Sequence, residues 1–258
     1  MIDYKLINTD KDETIIFVHG LASNLNSFVH SIDHFKNSYR ILALSMRGHG
    51  NSPKTDSDNL KDYCVKEMAD DVLEIINKLD IKKFHYVGHS MGGIIGYELI
   101  GRNSDQFITF TACGSPAYVR IPEWIAMAST SPLTVLPENI LASIGGKFIA
   151  RFSGKTPGSR RILREDVVPY INWTVMRNCL VNLSNISYLN VIKEIETPFF
   201  LVHGQYDVYN IYIKPILKIM EGKENFRYEY MKGAGHNAHI DFPDKFNKML
   251  EEFINKSK

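Results

Sequence analysis

The residues with the clearest chemical potential surround Ser90. The pentapeptide Gly88-His89-Ser90-Met91-Gly92 follows the apolar run Phe84–Val87 and leads into an apolar stretch from Ile94. A strand, a tight turn and a helix in that order form a nucleophile elbow, in which a serine sits on a strained turn. Unpaired amides at the start of the helix suit a developing negative charge. We therefore predict that Ser90 is a nucleophile rather than part of a structural turn.

A serine hydroxyl needs a base, and nine histidines are available. In this strand–turn–helix architecture the acid and then the base follow the serine along the chain, on loops after late strands. His236 comes directly after the strand-like run Arg227–Met231, behind the small residues Gly233-Ala234-Gly235. We predict His236 as the base and expect its rival, His239, to be a surface or packing residue.

The acid that orients this base is expected after the preceding strand. Asp207 is the only carboxylate in the turn His203–Asp207, which follows the apolar run Phe199–Val202. A carboxylate in that place holds the imidazole tautomer and stabilises the imidazolium. The alternative is an Asx-turn residue that caps the next helix.

Two backbone amides are candidates for an oxyanion hole. One is the N–H of Met91, directly after the nucleophile, and the other is the N–H of Leu21, in the loop His19-Gly20-Leu21 after an early strand. Loss of one such donor typically slows a reaction about a hundredfold or more. We expect His19 itself to be a structural hydrogen-bonding residue under the loop.

The elements that must position these residues alternate between short apolar runs and longer helical patterns, which predicts an α/β fold with a mostly parallel central sheet. The predicted strands are Thr14–Val18, Arg40–Leu44, Phe84–Val87, Phe107–Ala112, Phe199–Val202 and Arg227–Met231. Predicted helices cover Leu60–Leu79, a segment from Ser90, and Pro243 to the C-terminus.

The alternation stops between about Ala117 and Ile195, where no strand-like run occurs and helical patches cover Glu138–Phe152 and Asp166–Leu183. A segment of this length is too long for a plain loop. We predict a core domain formed by residues 1–116 and 196–258, with residues 117–195 inserted as a helical cap.

The cap carries two features that bear on substrates. Its apolar residues, with Trp124 and Trp173 as the leading candidates, are suited to an acyl pocket, although burial against the main domain would also explain them. Its basic cluster is suited to an acidic carrier protein, a phosphate or a carboxylate, although a solvated charged face is the simpler explanation. The cluster consists of Arg151, Lys155, Arg160, Arg161 and Arg164.

Composition narrows the class of protein. The 258 residues carry 30 Lys and Arg against 29 Asp and Glu, so the net charge of +1 predicts neither a nucleic-acid partner nor polybasic membrane attachment. No apolar run reaches the roughly 20 residues of a membrane span, and the start does not resemble a secretory signal. The three cysteines form no metal or disulfide pattern, and we expect a cytoplasmic protein.

Taken together these motifs resemble the α/β-hydrolase superfamily over nearly the whole chain, most closely its serine esterases of the carboxylesterase and monoacylglycerol lipase type. The shared motifs are His19-Gly20, Arg47–Ser52, Gly88–Gly93, Gly204–Asp207, Gly235-His236 and Asp241-Phe242-Pro243. The resemblance implies an eight-stranded sheet, of which we expect this chain to supply seven or fewer strands. It departs from the family pattern at Ser45, where an aspartate is usual, and after Asp207, where a proline is usual.

The resemblance and the motifs imply ester hydrolysis through an acyl-enzyme on Ser90, with a small-molecule ester as the partner and neither a metal nor an organic cofactor. Acylglycerols and carrier-bound esters or thioesters belong to the same expectation. One alternative is cleavage of a carbon–carbon bond, or elimination, on a small acid by the same residues. Another is a ligand-binding protein that kept the fold without the activity. The sequence does not specify an oligomeric state.

Overall fold

The protein is built around a seven-stranded sheet in the order β1-β3-β2-β4-β5-β8-β9, in a computed structural model that describes residues 1–55 and 59–257. All neighbours in this sheet are parallel except β1, which pairs antiparallel with β3 at the edge. The strands are β1 Tyr4–Ile7, β2 Thr14–Val18, β3 Arg40–Leu44, β4 Phe84–His89, β5 Phe107–Cys113, β6 Tyr118–Arg120, β7 Asn185–Ser187, β8 Phe199–Gly204 and β9 Phe226–Met231. The predicted fold class and the six predicted strands are confirmed.

Helices cover both faces of the sheet. They are α1 Val29–Phe35, α2 Val65–Lys78, α3 Met91–Asn103, α4 Glu123–Thr130, α5 Pro132–Val135, α6 Glu138–Ile140, α7 Gly146–Ser153, α8 Pro157–Ile162, α9 Trp173–Leu183, α10 Leu189–Glu194, α11 Lys214–Met220, α12 Ala238–Asp241 and α13 Pro243–Lys256. None of them, within residues 1–55 and 59–257, is both long and apolar enough to cross a membrane.

Two hydrophobic cores lie between these layers, because successive strand residues point to opposite faces. On β2, Ile16 and Val18 join the core beneath α2 and α3, whereas Ile15 and Phe17 join the core beneath α1 and α13. Every residue of β2 is buried, as expected for a strand covered on both faces.

The strand register brings the loops of interest to one edge. Val18 pairs with Gly88, His89 pairs with Cys113, and Gly204 pairs with Met231, so the carboxyl ends of β2, β4, β5, β8 and β9 lie side by side. Ligands of open parallel sheets bind outside these ends.

The helical insertion lies between β5 and β8. It contains one feature that the sequence did not predict, a pair of three-residue strands, β6 and β7, that joins its two ends, with Val119 opposite Ile186. The bounds 117–195 of a separate cap domain stay a prediction. At the end of that range α10 packs against α3 and α11, and its Ile192 is buried in the core beneath α2 and α3.

Candidate active site

Ser90 stands on the turn between β4 and α3 in a conformation that favours glycine, with φ +50°. Such a conformation costs a non-glycine residue about 1–3 kcal/mol. The turn closes so tightly that a Cβ on Gly88 would lie 2.5 Å from the carbonyl oxygen of Gly92. A Cβ on Gly92 would likewise collide with the carbonyl oxygen of Val18. Both glycines are therefore needed because neighbouring backbone leaves no room for a side chain, as the elbow motif predicts.

Asp207 and His236 are directly joined. His236 Nδ1 lies 2.9 Å from Asp207 Oδ2, and the Tyr209 amide donates to Asp207 Oδ1 at 2.9 Å. Burial tends to raise the pKa of Asp207, but the charge and hydrogen bond of His236, the neighbouring His203 and the Tyr209 amide together hold that pKa below its ordinary value. Asp207 is therefore the ionised partner of the imidazole.

Ser90 and His236 meet at a common cavity, whose wall they both form. Within residues 1–55 and 59–257 the Ser90 hydroxyl makes no hydrogen bond, to His236 or to any other residue, whereas His236 Nδ1 is bonded to Asp207. His89 fixes the loop from below, since its Nε2 donates to the His236 carbonyl oxygen at 3.1 Å. In unliganded sites the hydrogen bond between nucleophile and base is often long and tightens with substrate.

The amides of Leu21 and Met91 are both free to act as donors. Neither donates a hydrogen bond in the part of the chain that the structure describes, and Met91 is the first residue of α3. The loop before Leu21 is fixed by the buried His19, whose Nε2 accepts from the Met46 amide at 2.9 Å. Its Nδ1 therefore carries the hydrogen and donates to the Gly20 carbonyl oxygen at 2.7 Å.

His239 and His19 have the structural roles expected of them. His239 is buried between the rings of Phe28 and His89, at centroid distances of 4.7 Å and 4.5 Å. Burial, with a smaller contribution from His236, lowers the pKa of His239 to about 3. Burial likewise lowers the pKa of His19 to about 3. Both rings are neutral packing residues.

The cavity has a volume of about 550 Å³ and a mostly apolar wall. The main domain contributes the loop of Leu21, Ile94 of α3 and the loop of Tyr209, and α4, α7 and α9 of the insertion form the opposite wall. No Lys, Arg, Asp or Glu side chain lines the cavity within the described residues. An anionic group inside it would have no Lys or Arg partner among the described wall residues, and burying an unpaired charge is costly.

Comparison with known proteins is consistent with this architecture. A sequence model of the family described as "alpha/beta hydrolase fold" matches residues 13–137. MenH from S. aureus superposes with a TM-score of 0.84 over 100% of this chain and 99% of its own, at 17% identity, which shows the shared fold. Residues 13–137 thus match the α/β-hydrolase family, and the whole chain has the α/β-hydrolase fold.

Two curated relatives of this chain match over most of their length. A putative carbamate hydrolase, RutD from Agrobacterium fabrum, is 26% identical and covers 93% of this chain and 92% of its own. The 3-oxoadipate enol-lactonase 1 from Acinetobacter baylyi is 22% identical and covers 93% of this chain and 88% of its own. Both names describe hydrolysis at a carbonyl carbon, with different substrates.

The two tryptophans considered as candidates for an acyl pocket, Trp124 and Trp173, are not among the residues that line the cavity. Trp124 is 72% exposed on the outer side of α4, whereas Ile125 and Ala126 turn toward the cavity. Trp173 is buried at the start of α9, where a Cβ on Gly145 would lie 2.9 Å from its ring. The apolar composition of these helices was informative, but their rotation about the helix axis could not be deduced from it.

The departures from the family pattern have local compensations. Ser45 replaces the usual aspartate, and its hydroxyl accepts from the Leu25 amide at 3.3 Å while its carbonyl oxygen accepts from the Ser52 hydroxyl at 2.5 Å. After Asp207, the amide of Asn210 donates to the Asp207 carbonyl oxygen at 3.2 Å and closes the turn without a proline.

One buried carboxylate near the site was missed at the sequence level. Asp241 Oδ1 accepts from the backbone amides of residues 155 and 156 and from the Ser159 hydroxyl, and its Oδ2 accepts from the Gly235 amide at 2.8 Å. It therefore joins the insertion to the loop that carries the predicted base. The sequence showed it only as part of the Asp-Phe-Pro start of the last helix.

Metal ions are bound in proteins by clusters of side chains. In residues 1–55 and 59–257, no three or more His, Cys, Asp or Glu side chains are grouped so as to hold a metal ion.

Proposed function

We propose that this chain is a serine hydrolase that cleaves carboxylic esters through an acyl-enzyme on Ser90. The observation that carries the proposal is the 2.9 Å hydrogen bond between His236 and Asp207, beside a cavity whose wall includes both His236 and Ser90. A histidine held through Nδ1 by a buried carboxylate presents Nε2 to a serine hydroxyl. The two relatives named for hydrolysis support the same reaction class.

In the first half of the reaction Ser90 Oγ attacks the ester carbonyl carbon while His236 Nε2 accepts the hydroxyl proton. The negative charge that develops on the carbonyl oxygen is stabilised by the amides of Leu21 and Met91. Asp207 stabilises the imidazolium that forms, without taking its proton. The tetrahedral intermediate then collapses, the C–O bond to the alcohol breaks, and His236 returns the proton to the departing oxygen.

The second half releases the acid. His236 takes a proton from a water molecule, whose oxygen attacks the acyl carbon, and the same two amides stabilise the second tetrahedral intermediate. Collapse breaks the bond to Ser90 Oγ, which regains its proton from His236. Atoms and charge balance with water as the only co-substrate.

The wall of the cavity favours an uncharged ester with an apolar acyl group. The substrate of the alternative reaction, carbon–carbon cleavage on a small acid, carries a carboxylate, and no Lys or Arg side chain of the described cavity wall would neutralise it. An ester panel assayed beside vinylogous diketones separates the two reactions. Faster turnover of the diketones would contradict the ester proposal.

Labelling by a fluorophosphonate probe and hydrolysis of p-nitrophenyl esters test the nucleophile. We expect Ser90→Ala to lose labelling and to lower kcat by roughly 10³-fold or more. Ser131→Ala is the matched control, since Ser131 is exposed at the end of α4, does not line the cavity and should leave both readouts unchanged. A Ser90→Ala variant that still turns over would contradict the proposal, and a wild-type protein without labelling would favour the ligand-binding alternative.

Residues 117–195 act in this proposal as the cap that closes the cavity. The cytoplasm stays the predicted location, on the sequence evidence alone.

A further inference from the structure

Exposed apolar side chains are concentrated on the insertion. Of the fifteen large apolar side chains exposed in the described part of the chain, eight lie within residues 124–148. We call these eight the apolar face. They are Trp124, Ile125, Met127, Val135, Leu136, Ile140, Ile144 and Phe148. Exposed apolar patches of this kind mark interaction sites, whereas single exposed apolar residues need no explanation.

Part of the apolar face lies on one helical run. Ile140, Ile144 and Phe148 follow one another at intervals of four residues through α6, a π-helical turn (Leu141–Gly145) and α7, so they share one side of that run. Ile144 is 69% exposed and Phe148 is 58% exposed. Their helix therefore presents an apolar side to solvent rather than to the core.

The charge beside this face is positive. Residues 139–164 contain six basic side chains and no acidic one, and the whole insertion, residues 117–195, has nine basic and five acidic residues. Lys147 and Arg151 are both exposed on α7. They follow Ile144 and Phe148, respectively, by three residues, and so lie beside them on the helical run. The net charge of +1 for the whole chain conceals this asymmetry, because the rest of the chain is acidic.

The apolar face is continuous with the cavity. Ile125 of α4 and Phe148 of α7 are both partly exposed and also line the cavity wall beside Ser90. A molecule that moves from a surface in contact with the apolar face into the cavity would therefore pass two apolar side chains, Ile125 and Phe148.

We propose that the apolar face, with Lys147 and Arg151, docks the protein onto a lipid surface that carries anionic headgroups. An apolar helix side flanked by lysine and arginine is the pattern of helices that lie in the membrane interface. Anionic lipids attract the adjacent basic side chains, and the apolar side chains enter the acyl region. This inference does not depend on the chemistry of Ser90, and the binding assay below uses no turnover.

Flotation of the purified full chain with vesicles tests the proposal. We expect the wild-type protein, and equally Ser90→Ala, to float with vesicles of phosphatidylcholine mixed with phosphatidylglycerol, and more weakly with phosphatidylcholine alone. The double variant Ile140→Glu, Ile144→Glu touches neither the cavity wall nor the elbow. We expect it to lower the vesicle partition coefficient by roughly tenfold or more, since two side chains that would enter the acyl region of the lipid become charged.

Control variants separate the apolar contribution from the basic one. Val29→Glu replaces an exposed apolar residue on α1, outside the insertion, and should bind vesicles as the wild type does. Lys147→Glu with Arg151→Glu should abolish the preference for phosphatidylglycerol. Circular dichroism and the melting temperature check that each variant is folded.

Three outcomes would overturn the proposal. The first is a wild-type protein that floats with neither vesicle. The second is vesicle binding that the isoleucine double variant retains in full, which would show that attachment is electrostatic and does not use the apolar face. The third is a concentration-dependent dimer in analytical ultracentrifugation that the double variant abolishes, without vesicle binding by the wild type, which would assign the face to a second copy of this chain.

Discussion

Asp241 accepts a hydrogen bond from the Ser159 hydroxyl at 2.5 Å, across 82 residues of sequence. The same carboxylate accepts a hydrogen bond from the amide of Gly235, one residue before His236. A single buried side chain thus joins the insertion and the loop of the proposed base, and its loss would affect both.

The first prediction concerns this carboxylate. Asp241→Asn keeps the shape but replaces one accepting oxygen with an NH₂ group, so at least one buried donor loses its partner at a cost of about 1–3 kcal/mol. We expect a lower melting temperature, and a kcat about tenfold lower because the His236 loop shifts. The pH profile of kcat/KM should move as well, which destabilisation alone would not cause.

Asp244→Asn is the matched control, because Asp244 lies three residues on and is exposed. Equal effects of the two substitutions would show that Asp241 has no special role in positioning His236.

The second prediction concerns the acid of the proposed catalytic group. Asp207→Asn should leave the fold intact and lower kcat by about 10⁴-fold, since an amide favours the wrong imidazole tautomer. Because the folded-state pKa of Asp207 is lowered, its ionised form stabilises the protein above the unfolded-state pKa, and that contribution disappears as pH falls through the folded-state pKa. Steady-state kinetics, with urea unfolding at several acidic pH values, measure both effects. Full activity of Asp207→Asn would exclude the proposed role.

The third prediction concerns the buried histidines. His239 has a folded-state pKa of about 3 and an ordinary value of 6.5. Between these values the unfolded chain binds a proton that the folded chain does not, so stability falls as pH falls, by up to about 1.4 kcal/mol per pH unit. We expect His239→Leu to reduce this slope of the unfolding free energy by about that amount.

Urea unfolding between neutral pH and about pH 4 measures that slope. His30→Leu is the control, because His30 is exposed, and it should leave the slope unchanged. An unchanged slope for His239→Leu would mean that this ring does not stay neutral in the folded protein.

The fourth prediction concerns the apolar wall of the cavity. Ala126 is buried on α4 and lines the cavity, so Ala126→Phe fills space that a longer acyl chain would occupy. We expect kcat/KM for long-chain p-nitrophenyl esters to fall by about tenfold or more, with acetate esters nearly unaffected. Ala128→Phe, on the exposed side of the same helix, should change neither value. Parallel losses for short and long esters would contradict the acyl-binding role.

Much of the fold could be predicted because apolar runs and turns are local signals. The strands Thr14–Val18 and Arg40–Leu44 have the predicted bounds, and the other four differ by one or two residues at an end. Strand β1 was not predicted because Tyr4–Ile7 lies at the sheet edge and its residues are mostly half-buried, which gives a short and mixed pattern. The pair β6 and β7 is too short for any periodicity.

Some residues of the candidate site could be predicted from local sequence signals, and others could not. Ser90, Asp207 and His236 could be nominated because each follows a recognisable strand, and parallel strands end at one edge. Asp241 could not, because the groups that it binds in the insertion lie more than 80 residues away in sequence. Trp124 and Trp173 were candidates on composition alone, and neither lines the cavity, since composition identifies an apolar helix but not the side that faces the cavity.

A cavity wall without Lys, Arg, Asp or Glu side chains also bears on product release. Ester hydrolysis yields a carboxylic acid that is already ionised at neutral pH, and the new carboxylate would meet no Lys or Arg side chain among the described wall residues. An apolar wall therefore binds the neutral ester better than the anion, which gains hydration when it leaves. Such a wall would keep end-product inhibition by the carboxylate weak.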